Sequence, residues 1–420
     1  GRSDAGDREA ERVRRGVGGP RAAVGRRSAG GPERIVLTGR FVSDGWIAAH
    51  VRPLALAGRC GRIWVVTDRP MLRLPKTTYV CPPRWLQRVL GPAPSRSLYC
   101  VMTAVRCGAD WVGGFHFLLN GVAALAAARL AGARAMYFCV GGWTEIRGGG
   151  ARSEHRLFHR LGRDRPGLQR RLVGMIRGVD LTLTMGRGAR RYLEQQGVGG
   201  RIHVMPGGID AERFCPGGAG AARRFDMIFV GRLVPIKRMD VLLRVVARVA
   251  AARPGTRAVI VGDGPLRAVL EAEARRLGIR ERVSFVGHQS DVASWVRQSR
   301  VFVLTSDSEG LPLSVMEAMA CGLPVVVSDV GDVRDIVEDG VNGYCVPRRD
   351  VEAFASRIVS LIGDGAERRR FGAAARRSAM VHATESVADR WDVVLGGAGR
   401  GRASRSDMGR GGSRVLQAVP

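Results

Sequence analysis

The sequence predicts an α/β protein with two doubly wound, mostly parallel sheets facing across a cleft. Three observations carry this. Short apolar runs of strand length alternate with longer helical patterns, the alternation restarts near Phe225, and a Gly- and Pro-rich stretch, MPGGIDAERFCPGGAGAARR (205–224), separates the two series. The first series has strands at RIVLTG (34–39), RIWVVTD (62–68), DWVGGF (110–115), AMYFCV (135–140) and LTLTM (181–185), with a helix at 118–132. The second has DMIFVG (226–231), RAVIVGDG (257–264), VSFVG (283–287), VFVLTS (301–306) and LPVVVS (323–328), with helices at 239–252, 265–278, 289–298 and 312–321. Near-continuous Val- and Ile-rich runs suit strands covered by helices on both faces. Ligands of such sheets gather at the carboxyl ends of the strands, so a cleft between the halves is the natural site.

A chain of 420 residues exceeds one ordinary core and suits two domains, at 33–206 and 207–380. A final helix at 381–396 is placed to cross back to the first. The stretches 1–32 and 397–420 are Gly- and Arg-rich without periodicity and read as disordered tails. The net charge of +29 comes almost entirely from Arg spread along the chain, with Lys only at Lys76 and Lys237. Nucleic acid binding needs a contiguous basic stripe with stacking aromatics, which this pattern does not supply. A basic surface also suits anionic lipid or a phosphorylated substrate. The eight Cys are scattered with no CxxC pair, the usage of reduced, buried thiols. No signal-peptide pattern opens the chain and no 18-residue apolar run is free of charge. The expected place is the cytoplasm, at the inner face of the membrane where basic residues meet lipid.

Chemistry concentrates at strand ends of the second half. In GRLVPIKR (231–238), Gly231 lets the backbone turn closely, and Arg232 and Lys237 flank the loop. A guanidinium fork and a mobile ammonium suit a diphosphate; the bland alternative is two exposed charges at a helix start. GDGPLR (262–267) closes the next strand, with Gly262 and Asp263 in a tight loop, Asp263 placed to cap the following helix and Pro265 in its first turn. No GxGxxG follows a first strand.

In SDSEGLPLSVMEAMACGLPVVVSD (306–329), Glu309 lies in the loop, Gly310 and Leu311 lead to a helix N-terminus, and Glu317 sits inside that helix among apolar and small neighbours. An acceptor-only carboxylate there needs donors, which a ribose diol or a structural Arg would provide. A glycosidase pair is a third reading, disfavoured because one acid is held within a helix. His116 follows a strand and is expected to point into the cleft. His155 and His159 stand one helical turn apart without a third metal ligand, in a basic amphipathic segment that either packs or leans on an anionic membrane. GxSxG, HExxH and Walker A motifs are absent.

GRLVPIKR, VGDGPLR and SEGLPLSVMEAMACGLPVVVSDVGDVRDIVEDGVNGYCV together resemble the nucleotide-sugar half of the retaining GT-B glycosyltransferases, family 4, with Glu309 and Glu317 as the E-x7-E signature. HVMPGGIDAERFCP (203–216) resembles that family's connector, and WIAAHVRPLALAG (46–58) and FHFLLNGVAALAAARLAG (115–132) fall in its expected order. The resemblance implies two Rossmann-like domains, the first binding the acceptor and the second the donor. It implies that Arg232 and Lys237 hold the donor diphosphate, Glu317 binds the ribose, and Glu309 binds hydroxyls of the transferred sugar. Gly231, Gly262, Asp263, Gly310 and Leu311 would line the donor site, with Gly45 a loose match to a Gly-rich loop after the first strand. His116 matches a histidine that contacts the sugar near the reacting carbon. The implied reaction moves a hexosyl group from a UDP- or GDP-sugar to a sugar or lipid-linked acceptor, in cell-surface polysaccharide or glycolipid synthesis. Configuration is retained, the leaving phosphate accepts the acceptor's proton, and neither a protein base, a cofactor nor a metal is expected. Two departures bear on the acceptor: Gly207-Gly208 replaces the common Asn-Gly, and CVGGWTE (139–145) lacks a histidine. An epimerase of the same fold, an inactive homologue and a nucleic-acid-binding protein are the competing readings.

Overall fold

The computed structural model describes residues 31–41, 43–147, 165–218 and 223–399. Residues 1–30 and 400–420 of the expected tails lie outside these, as do His155 and His159. The first sheet comprises β1 (Glu33–Thr38), β2 (Cys60–Val66), β3 (Thr77–Val80), β4 (Trp111–Phe115), β5 (Arg134–Cys139), β6 (Leu181–Thr184) and β7 (Ile202–Val204). The second comprises β8 (Phe225–Val230), β9 (Ala258–Val261), β10 (Val283–Gly287), β11 (Ser299–Leu304), β12 (Val325–Ser328) and β13 (Gly343–Val346). Their orders are β3-β2-β1-β4-β5-β6-β7 and β10-β9-β8-β11-β12-β13, with every pairing parallel. Each order reverses beside its first strand, between β1 and β4 and between β8 and β11. Those switch points open a crevice at the carboxyl edge of each sheet.

The central strands are the apolar runs read from the sequence. Ile35, Val36 and Leu37 of β1 and Val301, Phe302, Val303 and Leu304 of β11 are fully buried. Strands β3, β7 and β13 were not expected. They are short edge strands (TTYV, IHV, GYCV): β3 and β7 are only partly covered and carry no continuous apolar run, while β13 is buried at three of its four positions but is too short to stand out. The helix expected at 118–132 is regular only over Val122–Ala131. Before it the chain winds a wider turn in which Leu119 takes φ 68°. That turn lies directly on β4: a Cβ on Gly114 would stand 2.5 Å from the Asn120 carbonyl oxygen.

The helix Thr384–Gly399 runs on past residue 396 and packs on the first half, with Val387, Trp391, Val394 and Leu395 in the same core as Leu37 and Phe115. Burying such side chains stabilises by roughly 2–3 kcal/mol each. Ile209 accepts the Thr384 N–H (2.9 Å) and donates to the His382 carbonyl (2.8 Å), so the chain makes its two crossings side by side. The Gly-Gly of the connector has a steric cause. Pro53 interrupts the helix Asp44–Leu56 and leaves the Ala49 carbonyl without its helical donor. Gly208 N–H fills that role at 2.7 Å. A Cβ on Gly208 would meet Pro53 Cγ at 2.7 Å, and one on Gly207 would meet Leu313 Cδ2 at 2.7 Å and His50 Cε1 at 3.2 Å.

Of the basic segment proposed to lean on a membrane, the described part is the helix Pro166–Ile176. Its Leu172, Val173 and Ile176 are core residues against Tyr137 and Cys139, so its apolar side is spent on packing.

Candidate active site

The loops after β8 and β9 pack backbone on backbone. Gly262 adopts φ 135°, and a Cβ there would sit 1.9 Å from the Gly231 carbonyl oxygen. A Cβ on Gly264 would sit 2.4 Å from the Leu233 oxygen. Only glycine permits this approach. It is closed by bonds from Gly231 N to Val261 O (3.0 Å) and from Leu233 N to Asp263 O (2.9 Å). Asp263 does not cap the next helix, which starts at Arg267 with no side-chain cap. Its carboxylate instead accepts from Gly264 N–H (2.7 Å) and lies 3.6 Å from Arg267, and Pro265 falls in the loop ahead of the helix.

A second set of bonds ties the β8 loop to the β11 loop. The buried Thr305 hydroxyl lies between the carbonyls of Lys237 (3.2 Å) and Arg238 (3.1 Å), and Asp307 N–H donates to Ile236 O at 2.9 Å. Arg238 takes the left-handed conformation (φ 49°), turning the chain into the helix Met239–Ala252. Lys237 is thereby brought to Glu309, with Nζ 2.6 Å from Oε1 and side chains only 17% and 9% exposed. The resemblance implies separate tasks for these residues, on the diphosphate and on the sugar. The structure brings them into direct contact, while Arg232 stands exposed on the same loop.

Glu317 lies in the helix Leu313–Ala320, where Val315, Met316, Ala318, Met319 and Ala320 are buried. Burial pushes its carboxyl up to about 7, with Arg213 the charge that opposes the rise. No ion pair closes on it among the described residues, so the structural Arg envisaged as an alternative is not in place.

On the facing half, His116 leaves the end of β4 with φ 62°, a conformation costly for a residue with a side chain. Its Nδ1 is 2.8 Å from Oε1 of Glu145, a carboxylate 6% exposed. Glu145 also accepts from Gly141 N (2.5 Å), Tyr137 OH (2.9 Å) and Phe117 N (3.3 Å). Burial works to raise its pKa, but His116 and these donors outweigh it and hold the carboxyl below its ordinary value. Sequence reasoning missed Glu145. The available signal was an acid among Gly and Trp just past β5, in the stretch noted only for its missing histidine.

The two halves meet through backbone at this point. A Cβ on Gly310 would stand 2.6 Å from the Val140 carbonyl oxygen, and one on Gly142 would stand 3.5 Å from Gly310 Cα. The loop bearing Glu309 therefore rests against the turn that leads to Glu145 and, through it, His116. Beside them, Asp332 and Asp335 of the second half reach the N-terminus of the helix Arg187–Gln195 of the first, accepting from Ala189 N (3.3 Å) and Arg187 N (2.5 Å). Gly45 lies apart from the expected loop. It sits exposed in the first turn of the helix Asp44–Leu56, capped by Ser43, with open space where a Cβ would be.

Two facing sheets of doubly wound order, with a cation–carboxylate pair and a half-buried acid at one switch point and an anchored histidine at the other, define the GT-B class. The family model for glycosyl transferases group 1 matches residues 220–378, and that for glycosyltransferase family 4 matches residues 54–213. The chain belongs to this superfamily of GT-B glycosyltransferases. It is similar to a D-inositol 3-phosphate glycosyltransferase of Kribbella flavida, 36% identical over 194 residues, 42% of this chain and 46% of that protein. A protein of the same name from Geodermatophilus obscurus is 34% identical over 250 residues, 54% of this chain and 55% of that one. The chain spans about half the length of the curated relatives it matches. Among solved structures, Anabaena HepE in complex with UDP-glucose superposes with a TM-score of 0.69 at 19% identity, covering 87% of this chain and 100% of that one. Sucrose-phosphate synthase from Thermosynechococcus elongatus gives 0.69 at 19% identity, covering 90% and 99%. Both show the shared fold.

Proposed function

We propose that this chain is a retaining hexosyltransferase that takes a nucleoside diphosphate sugar at 207–380 and an acceptor at 33–206, with the last helix crossing back to the first domain. The observation that carries the reading is Glu317, a carboxylate inside an apolar helix, in the same half as the Lys237–Glu309 pair and without an ion-pair partner among the described residues. Ribose hydroxyls would donate to Glu317. Lys237 and Arg232 would offset charge on the diphosphate as it leaves, the electrostatic stabilisation that matters most where water is excluded. Lys237 touches Glu309, so phosphate held by the first lies next to sugar hydroxyls held by the second. His116, anchored through Nδ1 by Glu145 at the end of β4, would contact the transferred sugar near the reacting carbon. Neither Glu309, already paired, nor Glu317, held in a helix, is placed as a general base; the leaving phosphate oxygen takes the acceptor's proton.

The named relatives act on a phosphorylated polyol or bind UDP-glucose, and a chain of net charge +29 suits an anionic acceptor. We assign it to polysaccharide or glycolipid synthesis at the cytoplasmic face of the membrane, with a saccharide or lipid-linked acceptor. A calorimetric panel of UDP-, GDP- and ADP-sugars tests the donor, followed by acceptor addition. Binding of a UDP- or GDP-sugar, with free nucleoside diphosphate released only when acceptor is present, is the expected result. Conversion of the sugar without that release would make the chain an epimerase.

A further inference from the structure

The helix Arg84–Leu90 (RWLQRVL) buries none of its residues. Polar bonds pin one side to the body: Gln87 Nε2 donates to the carbonyls of Pro82 (2.7 Å) and Asp68 (3.2 Å), and the Leu86 carbonyl accepts from Ser95 Oγ (3.2 Å). The apolar residues face outward, with Trp85 63%, Val89 74% and Leu90 47% exposed. Trp85 and Val89 are four apart and share a face, and Arg84 and Arg88, also four apart, run beside it. Leu98 on the next helix adds a residue 45% exposed. This inverts the usual surface helix, whose apolar stripe faces the core. Large exposed side chains grouped this closely mark an interaction surface, whereas scattered single ones do not.

We propose that this face docks on an anionic bilayer. Charge complementarity selects that occupant. An indole beside guanidinium groups settles at the boundary of headgroups and acyl chains, and the arginines meet lipid phosphates while their stems cover apolar surface. No described helix is long and apolar enough to cross a membrane, so the contact is peripheral. The helix follows β3, the edge strand of the first sheet, and starts at the same carboxyl edge from which β4 delivers His116. Docking there turns the rim of the cleft toward the lipid, which deepens the proposal of a lipid-linked acceptor and rests on it for that role alone.

The test uses the full chain with phosphatidylglycerol-containing vesicles whose acyl chains carry bromine. Salt of about 0.5 M suppresses the diffuse attraction of the other arginines. Wild-type tryptophan emission is expected to be partly quenched, and Trp85→Phe should abolish that quenching while leaving vesicle binding. Val89→Asp should weaken partitioning by about 10-fold or more, because a charge would enter the interface. Nucleotide-sugar binding should be unchanged in both. Equal quenching in Trp85→Phe, or equal partitioning in Val89→Asp, overturns the docking surface. So does a wild-type dimer that Val89→Asp converts to monomer, since the face would then cover a second copy. Retained docking without nucleotide-sugar binding would overturn the transferase reading and leave the surface standing.

Discussion

Glu317→Gln is expected to stabilise the ligand-free protein and weaken nucleotide binding at once. Burial raises this carboxyl from its ordinary 4.5 to about 7, so the folded chain holds the proton more tightly than the unfolded chain. Ionised Glu317 therefore opposes folding. The penalty is absent below about pH 4.5, grows between 4.5 and 7, and is complete above 7. A shift of this size corresponds to about 3 kcal/mol at its upper limit. Glutamine carries no such penalty, so Tm at pH 8 should rise by several degrees, with the gain fading as pH approaches about 4.5. A carboxylate held by a structural ion pair would give the opposite sign. Nucleotide binding has its own pH signature. Hydroxyl donors favour the ionised form, so affinity should climb as pH rises through 7 and fall by up to about 10-fold per unit below it. In Glu317→Gln the same titration should be flat.

Removing a cation from the proposed diphosphate site is expected to give the second large effect. Lys237→Ala and Arg232→Ala should each lower turnover by ~10²-fold or more, by the usual magnitude for one transition-state charge partner. Their effects on stability should differ. Lys237 neutralises Glu309, whose side chain is 9% exposed, and stranding a carboxylate at such a site costs on the order of 3 kcal/mol. Lys237→Ala should therefore also lower Tm, and Arg232→Ala, whose contacts lie at an exposed position where ion pairs are worth little, should lower it far less. Adding Glu309→Gln to Lys237→Ala should restore part of the Tm and none of the turnover. Near wild-type turnover in both single variants would defeat the diphosphate assignment. Recovery of turnover along with Tm would show that Lys237 acts only by holding the loop.

The fold was legible because strands buried on both faces must be apolar throughout, as in VFVLTS and LPVVVS. The edge strands β3 and β7 lack that requirement, and the buried β13 is only four residues long, so none left such a signal. Lys237, Glu309 and Glu317 could be picked out because each conflicts with its surroundings: a rare lysine, a loop acid at a strand end, and a carboxylate in an apolar helix. Their contacts could not be read. Lys237 and Glu309 are 72 positions apart, and only the Thr305 and Asp307 bonds between two loops make them neighbours. Glu145 was missed for the same reason, since its meaning comes from His116, 29 residues earlier. Asp263 and Gly45 went astray at helix boundaries: Gly264 N–H takes the Asp263 carboxylate, and the Ser43 cap draws Gly45 into the first turn.

The central claim is that a ribose satisfies Glu317. Calorimetry with a nucleoside diphosphate and its counterpart lacking both ribose hydroxyls, each against wild type and Glu317→Gln, tests it directly. Wild type should lose about 10-fold or more in affinity when the hydroxyls are removed, since hydrogen bonds to a charged group are worth about 1.5–3 kcal/mol. Glu317→Gln should show a far smaller difference between the two ligands. An equal loss in both proteins would place the ribose elsewhere and contradict the account.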